Sequence, residues 1–165
     1  MKFEKTAELK NANLVMKFSG LIGEGADFGN YEFDKINSLI IDFSDVKLIN
    51  SVGISVWVKW FYLAQTKNAK LNIHFLRCPK VLVDQFNNIP SFLPKNTLVR
   101  SFAVPMSCES CSSEIGLTLL EGKDYILNKT TNVYDIKLPN ANCPTCGAPM
   151  TTDINAKRYF SFLKP

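Results

Sequence analysis

Four of the five cysteines in this 165-residue chain stand in two pairs, Cys108-Glu-Ser-Cys111 and Cys143-Pro-Thr-Cys146. A two-residue gap lets one tight turn aim both sulfurs at a single point, and two such turns close a tetrahedral shell of thiolates, the usual coordination of structural zinc. Gly147 follows the second pair and permits the backbone reversal that a knuckle needs. The 31 residues between the pairs exceed the roughly 15–20 usual for this pattern, which a longer hairpin between the knuckles accommodates. The rival reading is a redox dithiol, because Cys-Pro-Thr-Cys looks like an oxidoreductase motif. Such a motif opens a helix, whereas Gly147 and Pro149 both oppose one here. Four cysteines leave no open position for water, so the expected Zn2+ is structural and the protein is expected not to be an enzyme.

The cysteine pairs sit in residues 106–165, where basic and acidic side chains balance, while residues 1–105 carry the whole net charge of +4. Four bound thiolates outweigh one divalent cation, so a loaded module would be mildly acidic. Phosphate neutralisation dominates nucleic-acid affinity, which makes a nucleic-acid partner the weaker expectation. The opening MKFEKTAELKNAN lacks the apolar core of a secretory signal. The greasiest run, Ile54 to Ala64, is 11 residues long with Lys59 inside it, against the ~20 that cross a bilayer. Paired cysteines without such segments point to metal binding in a reducing, cytoplasmic setting.

Before Pro105 the chain alternates strand-like and helix-like segments. Strands are expected at 14–18 (ended by Gly20), 39–43, 71–75 and 98–104, and helices at 51–67 and 79–89. That alternation predicts an α/β layer, a mixed sheet covered by helices, over residues 1–105. Residues 106–165 read as a small zinc-ribbon-like β module, with short strands at 125–127 and 133–136. The weak alternation at 158–163 predicts either an added edge strand or a segment docked on the main domain.

The helix at 51–67 gathers Ser55, Lys59, Tyr62 and Thr66 on one stripe at ~100° per residue. Most other positions are apolar, including Val52, Trp57, Trp60 and Leu63. An apolar arc of ~240° is wider than one sheet face needs. The surplus is either an exposed partner surface or a face covered by the zinc module.

The run Leu39-Ile-Ile-Asp-Phe-Ser-Asp-Val-Lys-Leu-Ile-Asn-Ser-Val-Gly-Ile54 resembles the signature of the STAS domain, the sulfate transporter and anti-sigma factor antagonist family. The matching positions are Asp42, Ser44, Val46, Ile49, Ser51 and Gly53, and Val15–Gly20 resembles the family's early strand. The resemblance spans roughly residues 5–105. It implies a STAS-like fold and a signalling adaptor whose partner is a protein, such as an anti-sigma factor kinase. It also implies phosphorylation at the position of Ser51. The docking surface would comprise Asn50, Ser51, Val52, Gly53, Ser55 and Lys59. One position departs: the family's acidic residue before the serine is Asn50 here. Ser51 therefore has two readings, a helix N-cap or a regulated phosphoserine. The alternatives for the whole chain are a scaffold that is not phosphorylated and a zinc-ribbon regulator that binds nucleic acid.

Three other signals are expected to be structural. Gly20–Gly29 lacks the lysine and glycine spacing of a phosphate loop. His74 is the single histidine and falls in a strand. Cys78 is expected to be a small buried hydrophobe.

Overall fold

The computed structural model describes residues 1–163. Its first sheet has five strands in chain order: β1 (Glu4–Lys10), β2 (Asn13–Ile22), β3 (Ser38–Ile49), β4 (Asn72–Leu76) and β5 (Thr97–Val99). β1 is antiparallel to β2 and the remaining neighbours run parallel, so the sheet is mixed. Alternate residues send one set of side chains inward: Leu14, Met16 and Phe18, then Leu39, Ile41 and Phe43, then Ile73 and Phe75. Helix α1 (Ser51–Lys67) lays Trp57, Phe61 and Ala64 on that face, and α2 (Lys80–Asn88) adds Leu82, Val83 and Phe86. Trp57 is the hub. Its ring packs against Phe18, Phe43, Phe75 and Phe92, and its Nε1 donates to the Phe92 carbonyl at 2.8 Å.

Several boundaries differ from the sequence expectation. β1 carries almost no apolar alternation, yet it forms because Asn11 and Ala12, both with positive φ, make the two-residue turn that pairs Lys10 with Asn13. Gly20 does not end β2; register shifts after Lys17 and Gly20 let the strand continue to Ile22. β3 runs six residues beyond Phe43, to Ile49. Pro79 caps α2 from outside instead of occupying its first turn. The expected strand at 98–104 is broken at Arg100: β5 closes the first sheet, while β6 (Ser101–Ser107) opens a separate ribbon with β7 (Glu114–Leu120).

A second hairpin, β8 (Tyr125–Asn128) with β9 (Val133–Ile136), forms where short strands were expected. The segment at 158–163 adds no edge strand. It contributes the end of a short helix, α3 (Ala156–Tyr159), and the chain after it docks on α2. Asn87 donates to the Tyr159 carbonyl at 2.8 Å, the Tyr159 hydroxyl donates to the Ala103 carbonyl at 2.6 Å, and Phe162 packs between Phe86 and Phe102. Buried side chains from the five-stranded sheet and from the β6–β7 and β8–β9 ribbons form one continuous core.

Candidate metal centre and the turn before α1

The first knuckle grows out of β6. Cys108 N–H donates to Ser113 O at 2.9 Å and Ser112 N–H donates back to Cys108 O at 2.8 Å, which folds Cys111 over Cys108. The second knuckle repeats the pattern: Cys143 N–H donates to Ala148 O and Gly147 N–H to Cys143 O, both at 2.8 Å. Gly147 takes φ +75°, the left-handed region expected of it. The knuckles are laid side by side by reciprocal bonds between Ser107 and Thr151, at 2.8 and 2.9 Å.

This pairing brings all four sulfurs within 4.8 Å of one another. Cys108 Sγ lies 3.5 Å from Cys146 Sγ, and Cys111 Sγ 3.4 Å from Cys143 Sγ. A tetrahedron with metal–sulfur bonds of about 2.3 Å has edges of about 3.8 Å, so the cluster is close to the required size. It is far from the roughly 2.05 Å of a disulfide. The N–H of Cys146 pulls the Cys143 thiol down; burial opposes it, the Thr145 N–H assists, and the result is about 6. The Ser113 hydroxyl and N–H lower Cys111 in the same way. These bonds favour thiolate, the form that binds a metal, at Cys143 and Cys111. At Cys146 the Ala148 N–H also lowers the pKa, but the Cys108 and Cys111 sulfurs outweigh it and push the thiol up to about 12. The site can hold one metal ion on Cys108, Cys111, Cys143 and Cys146. Cys108 and Cys143 are buried, and Cys111 and Cys146 form the solvent side. Cys78 is fully buried elsewhere, where burial pushes its thiol well up, as suits a small apolar residue.

The turn before α1 is built differently from the expectation. Asn50, not Ser51, is the N-cap. Its Oδ1 accepts from Gly53 N–H at 2.9 Å, and its own N–H donates to Ile22 O at 3.1 Å. Ser51 is the first helical residue and is exposed. Asn50, Val52, Ser55 and Lys59 are exposed as well, whereas Gly53 is buried against the end of β2 and positions the turn.

The surplus apolar surface of α1 divides in two. Trp57 is covered by the five-stranded sheet with Phe28 and Phe92, and Trp60 by the loop before β3, neither of them by the cysteine module. Trp60 Nε1 donates to Gly29 O at 2.7 Å, with Phe28 and Phe33 against its ring. The glycine-rich segment is therefore structural packing. Val52, Tyr62 and Leu63 stay uncovered, Tyr62 at 70% exposure.

Two polar arrangements escaped the sequence reading. Asp42 is buried and receives Arg77 Nε at 2.9 Å, a second guanidinium bond, and Ser44 N–H at 3.0 Å. Burial alone would raise its pKa, but the guanidinium and the Ser44 N–H outweigh burial and lower it. Arg100 donates to His74 Nδ1 at 3.2 Å and to Glu121 at 2.5 Å, tying β4 to the chain after β7. Burial, then Arg100, lower the pKa of His74 and favour its neutral form. Apart from Ser44, these partners lie 21 to 35 positions apart, with no spacing to reveal them.

Comparison of the chain with protein-family models, with curated proteins and with solved structures finds no match.

Proposed function

We propose that the chain is a protein-binding adaptor of the STAS-like signalling type, braced by a structural Zn2+ on its four paired cysteines. One observation carries the docking half of this reading. Along α1 the residues Ser51, Val52, Ser55, Lys59, Tyr62 and Leu63 form one solvent-facing stripe, although Trp57, Trp60 and Phe61 are internal. An apolar strip edged by hydroxyls and a lysine, on a helix already anchored behind, suits contact with another protein.

Ser51 is the position for a switch within that strip. A phosphate there would add nearly two negative charges at the positive end of the helix. Asn50 already occupies the Gly53 N–H, one of the first-turn donors that a phosphate would otherwise meet. The partner is a signalling protein, with an anti-sigma factor kinase as the type the sequence resemblance implies.

Candidate kinases from the native host, incubated with the full chain, should phosphorylate Ser51 by peptide mass spectrometry. The partner captured by wild type should be lost with Ser51→Asp and with Leu63→Asp. Loss with Leu63→Asp alone would leave an adaptor without the switch. Capture unaffected by both variants would overturn the reading.

A further inference from the structure

From Glu114 to Thr118 the outer edge of β7 has no strand beside it among the described residues, whereas the outward groups of Leu120 are taken by the turn at Lys123 and Asp124. Ala103 N–H donates to Cys78 O and Ser107 N–H to Thr151 O, both at 2.8 Å and both away from β7. Strand alternation then turns the main-chain groups of Phe102, Val104 and Met106 toward β7. The register sets these opposite Leu119, Leu117 and Ile115, so the groups of Glu114, Gly116 and Thr118 point outward. No strand lies on that side among the described residues, and all three are exposed.

The outward edge of β6 is closed by contrast. Cys78 covers one end and Thr151 the other, and between them Pro105 has no N–H to offer. From Ile115 to Leu119, β7 has no proline, charge or bulge, the devices that usually protect an open edge.

We propose that this edge pairs with the same edge of a second copy, antiparallel, about a two-fold axis at Gly116, joining two ribbons into one four-stranded sheet. The register is self-complementary. Gly116 faces the partner's Gly116 with no side chain between them, and the half-buried Ile115 faces the partner's Leu117. Glu114, the one charge on the edge, faces the neutral hydroxyl of the partner's Thr118 instead of another carboxylate. Three bonded pairs supply about six main-chain hydrogen bonds. A contact of this size gives a weak, concentration-dependent dimer.

Sedimentation of the full chain from about 1 to 500 µM should show the mass rising from 18.6 kDa toward twice that value. Thr118→Glu sets carboxylates opposite each other on both sides of the axis and should weaken the dimer about tenfold; Thr118→Lys meets the partner's Glu114 and should tighten it about tenfold. Thr118→Pro removes only an outward N–H, as Pro105 does in β6, and should abolish pairing. Unchanged near-ultraviolet dichroism and metal content establish that each variant is folded. A chain that stays monomeric throughout overturns the proposal, whatever other strand the edge accepts. So does a dimer indifferent to all three substitutions, because another face would then hold the copies.

Discussion

A β-carbon on Gly53 would stand 2.1 Å from the carbonyl oxygen of Ile22, so α1 crosses the end of β2 at a distance only glycine allows. The same strand end accepts the Asn50 N–H, which fixes where the helix begins. Gly53 thus sets the height at which Ser51 and Val52 stand above the sheet.

Gly53→Ala should destabilise the protein by about 1–3 kcal/mol, because the clash is with backbone and no rotamer relieves it. Gly25→Ala, where an added carbon meets nothing within 4 Å, should stay within about 0.5 kcal/mol. Urea unfolding of both variants checks the difference. Equal midpoints would contradict the close crossing.

Asp42 predicts a specific acid sensitivity. Its folded pKa lies below the unfolded value near 3.9, so its contribution is complete above about pH 5 and fades as pH falls through the folded pKa. Arg77→Ala strands a buried carboxylate and should cost about 1–3 kcal/mol at pH 7, toward the low end because Arg77 is exposed. Asp42→Asn should flatten the stability profile below pH 4. Melting temperatures from pH 3 to 7 test both, and parallel profiles for wild type and Asp42→Asn would contradict the assignment.

The two faces of α1 should respond oppositely. Trp57→Ala removes the hub of the aromatic core and a hydrogen bond, and should cost about 3–5 kcal/mol. Leu63→Asp changes an exposed position and should leave stability within about 0.5 kcal/mol. Denaturant titrations of the pair settle which residues build the core and which remain for a partner.

Those contrasts mark what the sequence could and could not convey. Helix α1 was readable to its ends, because Ser51–Lys67 is long and lies between turn-forming residues. Trp60 misled in one respect: apolar width says how much surface must be covered, not by what, and its cover is the loop around Phe28 and Phe33. β1 was hidden because an exposed edge strand needs no apolar alternation and its turn is Asn-Ala, not Asn-Gly. The break at Arg100 was hidden because a β-rich run looks the same whether it feeds one sheet or two. The cysteine cluster was the clearest feature, since paired thiols at fixed spacing encode the geometry directly.

Metal content of the full chain, purified without added metal or chelator, tests the central claim most directly. One equivalent of zinc per chain is predicted. Cys111→Ser and Cys146→Ser should lose it, and chelation should lower the melting temperature of wild type. A well-folded wild-type chain carrying no metal would contradict the account, and so would one equivalent of iron in place of zinc.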